Sequence, residues 1–458
     1  MESFDVIIIG TGQAGPSLAA RLASEGKQVA IIERKLFGGT CVNTGCIPTK
    51  TLIASARVAY VARRADEYGI QIPGPVTVDM KKVKARKDSV AGVHNDRIPQ
   101  WMLRMENLTP YKGHARFESA HVIQVGEEKL QAENIFINVG GRAFIPSMPG
   151  LDDVQFWTNS DMMAVDFLPD HLIIVGGSYI GLEFAQMYRR FGSKVTIVER
   201  SPRLIGREDQ DVSDGIREIL ENEGVSIRLN SECITARKNG TGVTVGLDCD
   251  SGDKDLSGSH LLLAVGRIPN THDLGLEKAG VETDERGYIK VDDQLQTNIK
   301  GIWALGDCNG KGAFTHTAYN DFEVVAANLL EKNPRRISDR ILAYALYIDP
   351  PLGRVGMTEN QVRESGRKTL IGKRLMSQIG RARERGETSG FMKILIDADS
   401  REILGAAILG IGGDEIIHSI IDIMYARKPY TVIQQAMHIH PTVSELIPTM
   451  LGELKPFE

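Results

Sequence analysis

Asp5-Val6-Ile7-Ile8-Ile9-Gly10-Thr11-Gly12-Gln13-Ala14-Gly15 carries a short apolar strand straight into a glycine turn. Gly10 permits the tight turn, Gly12 lets the backbone approach a pyrophosphate, and Gly15 lets the next helix pack closely on the strand. That helix, from about Pro16 to Gly26, points unpaired N–H groups and a partial positive charge at the phosphates. A second strand runs from Gln28 to Glu33, and Glu33 is placed to accept hydrogen bonds from ribose hydroxyls. The same order returns at Leu172-Ile173-Ile174-Val175, then Gly176-Gly177-Ser178-Tyr179-Ile180-Gly181, a helix through Phe191 and a strand from Lys194 to Glu199. In both copies the acid stands 23 positions after the first glycine (Gly10 to Glu33, Gly176 to Glu199). The repeat means two dinucleotide-binding folds in one α/β chain.

The second copy departs from the first. Ser178 stands where the middle glycine belongs; it costs some closeness of approach, but its hydroxyl can reach phosphate. Glu199 favours the free 2′-OH of NADH over a 2′-phosphate. Arg200 and Arg203 follow at once, and either could serve the phosphate of NADPH, although a solvated loop explains them as well.

A chain of 458 residues has room for two to four domains. Pro146-Ser147-Met148-Pro149-Gly150 separates the first unit from the second, which closes near Val265 to Asn270. The strand Gly301 to Leu305 looks like a return to the first unit. From about Ile341 the texture changes to alternating strands (Phe391 to Ile396, Ile403 to Leu409) and apolar helices around Glu415 to Tyr425. The expected division is 1–147 with 270–340, then 148–269, then an α+β unit at 341–458. A net charge of −5 gives no reason to expect nucleic acid or an anionic membrane as partner. No basic cluster precedes the first apolar run and no run of about 18 apolar residues occurs, so neither a signal peptide nor a membrane span is expected. Five cysteines do not make a secreted disulfide scaffold, which leaves the cytoplasm as the expected location.

Gly39-Thr40-Cys41-Val42-Asn43-Thr44-Gly45-Cys46-Ile47-Pro48-Thr49-Lys50 holds two of those cysteines. Four residues separate them, a span that a helix opening or an irregular turn can fold until the sulfurs bond. A thiol at a helix N-terminus has its pKa lowered, which supplies the thiolate that exchange chemistry requires. Zinc would need two further soft ligands, and Cys233, Cys249 and Cys308 are scattered without partner spacing, so these three read as inert core residues and no metal is expected.

This segment resembles the active-site signature of the class I pyridine nucleotide–disulfide oxidoreductases, the family of dihydrolipoamide dehydrogenase, glutathione reductase and mercuric reductase. The resemblance covers nearly the whole chain. Val265-Gly266-Arg267-Ile268-Pro269-Asn270 is similar to the motif closing the NAD domain, and Ala304-Leu305-Gly306-Asp307 to the one whose aspartate holds the flavin ribityl chain. Asp349-Pro350-Pro351 through Glu359 resembles the start of the dimerisation domain, and Ile135 to Gly141 the strand that usually ends in Ala-Thr-Gly, with Val139 in place of the threonine. The resemblance implies FAD and NAD(H) as cofactors, with NADP(H) open, and two Rossmann-like domains plus a C-terminal dimerisation domain. It implies Cys46 as the sulfur next to the flavin, Cys41 as the sulfur that exchanges with substrate, and Lys50 paired with Glu183 beside flavin N5. Tyr179 matches an aromatic gate that covers the flavin until nicotinamide displaces it, though packing explains it equally well. Thr40, Ala115, Gly140, Thr315 and His316 join Gly10, Gly12, Gly15, Glu33 and Asp307 around the flavin; Gly176, Gly181, Glu199 and Gly266 fall to the nicotinamide nucleotide.

Met437-His438-Ile439-His440-Pro441-Thr442-Val443-Ser444-Glu445 supplies a base. An attacking thiol must lose a proton, imidazole titrates near the working pH, and a carboxylate on its other nitrogen fixes the tautomer. The segment resembles the His-Pro-Thr-x-x-Glu motif of disulfide reductases. That implies His440 as base and Glu445 as its partner, acting on the cysteines of the other subunit of a homodimer; His438 reads as structural. No cysteine follows Cys308, so the C-terminal pair of mercuric reductases is missing. Dihydrolipoamide dehydrogenase fits best, with a lipoyl group, free or protein-bound, as dithiol. Ser178, Val139 and Arg381-Ala382-Arg383-Glu384-Arg385 look more like divergent relatives linked to metal or chlorine stress; that arginine run otherwise reads as solvated surface. A flavin-bound redox sensor is the alternative from another class, against which His440 and Glu445 argue.

Overall fold

The computed structural model describes residues 1–249, 252–331 and 333–457, with residues 94–96 as backbone only. Residues 250–251, 332 and 458, which the expected domain ranges include, lie outside the described residues. The opening apolar run forms the strand Glu2–Ile9, and its Val6–Ile9 are buried on both faces, as a central parallel strand requires. It lies between Val29–Glu33 and Glu128–Ile137, both parallel to it, in a sheet of seven strands. The late strand Ile302–Ala304 pairs in parallel with Ile135, Phe136 and Ile137, so the chain does return to the first sheet after the second unit.

The second unit repeats the plan with a parallel sheet in the order Ser226–Arg228, Lys194–Val198, His171–Val175, His260–Leu263, Phe156–Trp157. An antiparallel sheet of Ser231–Asn239, Gly242–Cys249 and Asp255–Gly258 joins it. The chain crosses between the units twice, and the two crossings, Gly141–Ala143 and Arg267–Pro269, pair as an antiparallel ribbon. The third unit is an antiparallel sheet of six strands with the helix Gly413–Tyr425 against it. Every residue of Phe391–Asp397 and Ile403–Leu409 is buried.

Charge ties the second unit to the third. Lys393 Nζ, 1% exposed, lies 2.9 Å from Asp209, 2.6 Å from Asp211 and 2.6 Å from Glu359. Arg354, equally buried, reaches Asp209 at 2.8 Å. With Lys373 2.6 Å from Asp211, three cations face these three carboxylates, and such pairing is the condition for burying charge at all.

Two expectations need correction. Cys308 is buried, but Cys233 and Cys249 are only half-buried: both pack against the second unit's core from its margin. The arginine run is not wholly solvated: it forms the short helix Gly380–Glu384, whose Ala382 is buried in the third unit's core.

Candidate active site

Both glycine turns are built on close backbone contact. A Cβ on Gly10 (φ +104°) would stand 2.2 Å from the Asn138 carbonyl oxygen, and one on Gly176 (φ +112°) 2.4 Å from that of Ala264. Ser178 is tolerated because its backbone is extended (φ −119°) and its side chain exposed. Glu33 and Glu199 make matching locks. Glu33 accepts from the Thr11 amide (3.1 Å), the Thr11 hydroxyl (2.7 Å) and the Lys35 amide (2.8 Å). Glu199 accepts from the amides of Gly177 (2.7 Å) and Ser201 (2.8 Å). Each carboxylate is thereby held at its strand end, facing the groove above its glycine turn.

One continuous cavity of about 2710 Å³ links the two turns. Gly10, Gly12, Glu33, Thr40, Cys41, Cys46, Lys50, Ala115, Gly140, Asp307, Thr315 and His316 line it, as do Gly176, Tyr179, Glu183, Glu199 and Gly266. Gly15 and Gly181 do not: they lie beneath the turns, where a Cβ would meet the carbonyl oxygens of Gly10 at 2.3 Å and Gly176 at 2.0 Å. They permit helix and strand to pack and touch no ligand space. Gly140 (φ +62°) and Gly266 (φ +138°) face open space. Side chains there would project into the room that a flavin and a nicotinamide nucleotide need, so the residues present fit both groups.

Cys41 ends up on the short helix Gly39–Asn43, and Cys46 is the first residue of the helix Cys46–Arg63. Both sulfurs are free thiols, the reduced form of the pair. Their environments split them. Cys46 is lowered to about 6, chiefly by the hydrogen bond from Cys41, with the Thr315 hydroxyl at 3.1 Å and the Lys50 charge adding to it against the opposing effect of burial. Cys41 is pushed up, first by donating that bond and then by burial and the neighbouring negative charge. The pair therefore carries one thiolate, on Cys46.

Lys50 Nζ lies 2.7 and 2.8 Å from the two carboxylate oxygens of Glu183, which is nearly buried. The Tyr347 ring covers the same ammonium, with its centroid 4.5 Å from Nζ, and the Tyr347 amide donates to Glu183 at 3.1 Å. His440 and Glu445 lie outside the cavity. Both Glu445 oxygens are 3.0 Å from His440 Nδ1, which leaves Nε2 pointing away on a side chain that is 80% exposed. Met437 and Ile439, 99% and 80% exposed, flank it.

Sequence reasoning passed over several residues. Asn138 Nδ2 donates to the Gly12 carbonyl at 3.2 Å and shapes the first turn. Arg267 bridges the Gly141 carbonyl (2.7 Å) and Asp307 (3.4 Å). Asp321 accepts from the Gly306 amide at 2.7 Å and so orients the segment bearing Asp307. Asn138 and Arg267 sit inside quoted motifs and were within reach; Asp321 and Tyr347 carry no pattern of their own.

The description "Pyridine nucleotide-disulphide oxidoreductase" matches residues 4–321, and the dimerisation domain of the same family matches residues 342–451. The probable pyridine nucleotide-disulfide oxidoreductase RclA of Escherichia coli is 35% identical, over 99% of this chain and 100% of its own length. Mercuric reductase of Streptomyces lividans is 32% identical over 97% and 94%, and dihydrolipoyl dehydrogenase of Thermus scotoductus 32% over 97% and 96%. Among solved structures, the HOCl-induced flavoprotein disulfide reductase RclA superposes with a TM-score of 0.90 over 98% of this chain and 99% of that one. Its Cu(II) complex superposes equally well. The two glycine turns, the split thiol pair between them and matches along the whole chain have one reading: this protein belongs to the pyridine nucleotide–disulfide oxidoreductases, enzymes that depend on FAD and use NAD(P)H.

Proposed function

We propose that the chain, as a homodimer, moves two electrons between NAD(H) and a dithiol or disulfide through Cys41 and Cys46. The observation that carries this reading is the asymmetry of the pair: Cys46 opens a long helix with the Thr315 hydroxyl 3.1 Å from its sulfur, and Cys41 sits beside it on the short helix Gly39–Asn43. Bound FAD and nicotinamide supply the hydride chemistry. Cys46 holds the thiolate against the flavin site. Cys41 exchanges with the substrate sulfur, forming a mixed disulfide that Cys46 resolves as the substrate thiol leaves. In the opposite direction a substrate thiol gives up its proton to His440 of the second copy, and Glu445 keeps that imidazole's Nδ1 turned inward so that Nε2 is free to accept. Lys50 and Glu183 balance charge beside the flavin ring, and Tyr179 covers the nicotinamide pocket. The ranges 1–147 with 270–340, 148–269 and 341–458 would then be the FAD, NAD and interface domains. Five cysteines in 458 residues do not make a secreted disulfide scaffold, which supports the cytoplasm as its location.

For the substrate we infer a lipoyl dithiol, on the full-length similarity to dihydrolipoyl dehydrogenases. The similarity to RclA, an HOCl-induced flavoprotein disulfide reductase solved also as a Cu(II) complex, supports a second reading: a metal or chlorine-stress reductase. Steady-state turnover of purified enzyme with dihydrolipoamide and NAD, and with NADH and Cu(II), separates them. No turnover of any lipoyl compound refutes the first, and no Cu(II)-dependent NADH oxidation refutes the second.

A further inference from the structure

Tyr179 is the first residue of the second glycine helix, and its ring stands edge-on to two others: Phe314 at 5.7 Å and 80°, and Tyr344 at 5.7 Å and 83°. Phe314 and Tyr344 lie nearly parallel, 5.5 Å apart and 8° from coplanar, and His316 stacks on Phe314 at 5.3 Å and 10°. Edge-to-face contacts of this kind are the favourable geometry for ring quadrupoles. The three principal rings come from three parts of the chain. Tyr179 belongs to the second unit, Phe314 to the segment that returns to the first, and Tyr344 to the edge strand Ala343–Leu346 of the third.

Tyr344 is not free to follow a moving neighbour. Its hydroxyl donates to Glu208 Oε1 at 2.5 Å. Glu208 is fully buried, and its other oxygen has no hydrogen-bond partner among the described residues, lying 3.7 Å from Arg354 Nη1. Arg354 is itself clamped by Asp209 (2.8 Å) and the Met357 carbonyl (2.8 Å). A carboxylate buried with a spare oxygen and held by a fixed guanidinium is a costly arrangement to keep for packing alone. What it does is immobilise one tyrosine hydroxyl at the wall of the cofactor cavity.

We propose that Phe314 and Tyr344, the latter pinned by Glu208, form a dock that holds the Tyr179 ring in its resting position and so sets the cost of admitting a nicotinamide ring. This rests on the reading of Tyr179 as the cover of the nicotinamide pocket. Phe314 and Tyr344 are positioning residues: they act on the coenzyme through Tyr179. Displacing Tyr179 breaks both edge contacts, and the apparent affinity for the nicotinamide end falls by the fraction of molecules whose pocket is open. A weaker dock therefore tightens nicotinamide binding and leaves the adenine end untouched.

The test compares two ligands on the FAD-loaded dimer: ADP-ribose, which lacks the nicotinamide, and tetrahydro-NADH, which carries a ring that cannot transfer hydride. Phe314→Leu is expected to bind tetrahydro-NADH about two- to ten-fold more tightly, the range that loss of one ring contact gives, with ADP-ribose unchanged. Tyr344→Phe, which removes a single oxygen and frees the ring from Glu208, is expected to shift the same ratio in the same direction. An unchanged or inverted ratio in Tyr344→Phe overturns the dock, as does a parallel change in both ligands. Tyr179→Ala keeps the two readings apart. If it leaves the ratio unchanged, Tyr179 does not cover the pocket. If it raises the ratio while Tyr344→Phe and Phe314→Leu do not, the cover stands and the dock falls.

Discussion

The Thr315 hydroxyl lies 3.1 Å from the Cys46 sulfur, though 269 positions separate the two residues. Thr315 opens the helix Thr315–Leu330 and Cys46 opens Cys46–Arg63, so two helix N-termini converge on one sulfur. A hydroxyl donor and two positive helix ends all favour thiolate.

The pH dependence of the reduced enzyme follows from this. Cys46 is depressed below its ordinary value to about 6, so its thiolate persists above that pH and is lost as pH falls through it. The long-wavelength thiolate–flavin absorbance of the two-electron-reduced enzyme should therefore fade below about pH 6. In Thr315→Val its midpoint should move up, and in Cys46→Ser the band should vanish. Anaerobic dithionite titration across pH reads all three, and an undiminished band in Cys46→Ser would sink the assignment.

Lys50→Met removes a cation whose charge lowers Cys46 and leaves the nearly buried Glu183 carboxylate without its ammonium partner. The same absorbance should again need a higher pH to develop, and flavin reduction by NADH should slow. Stopped-flow absorbance at several pH values measures both; unaltered behaviour would make the Lys50–Glu183 pair a packing contact only.

His440 lies outside the cavity that contains the cysteines. Mixing Cys41→Ser with His440→Ala protein should therefore restore dithiol turnover through hybrid dimers. His440→Ala alone should slow thiol oxidation about 10²- to 10⁴-fold while leaving flavin reduction by NADH nearly intact, since only the former has a thiol proton to remove. Equal losses in both half-reactions would reduce the histidine to a structural post.

Coenzyme choice turns on Glu199, held at the groove by two amides. Arg203 already donates to the Gly206 carbonyl at 2.8 Å and is less free to meet a phosphate than its sequence position suggests. NADH should be preferred, and Glu199→Ala should narrow the gap in kcat/KM. An NADPH preference abolished by Arg200→Ala would reverse the assignment.

Lys393 stands among Asp209, Asp211 and Glu359 with 1% exposure. Lys393→Met would remove the cation that Asp209, Asp211 and Glu359 share, leaving each with one other partner (Arg354, Lys373 and Arg363), and should cost about 1–3 kcal/mol of stability. Thermal unfolding of the FAD-loaded protein checks this, and an unchanged Tm would show that Arg354, Lys373 and Arg363 suffice without it.

The sequence by itself determined whatever depends on neighbours along the chain. A strand, a glycine turn and a helix are local, so both nucleotide folds could be read from glycine spacing and the acids that follow. Cys41 with Cys46, and His440 with Glu445, also act within a few residues of each other. Tertiary structure decided what depends on distance across the chain. Which cysteine carries the charge turns on the bond between the two sulfurs and on Thr315, which another helix brings to Cys46 from 269 positions away. Tyr347 over Lys50, and Phe314 and Tyr344 around Tyr179, are single aromatics without periodicity, and only packing gives them a place. The half-burial of Cys233 and Cys249 likewise waited on packing, since both touch the second unit's core from its margin and no local pattern marks where a core ends.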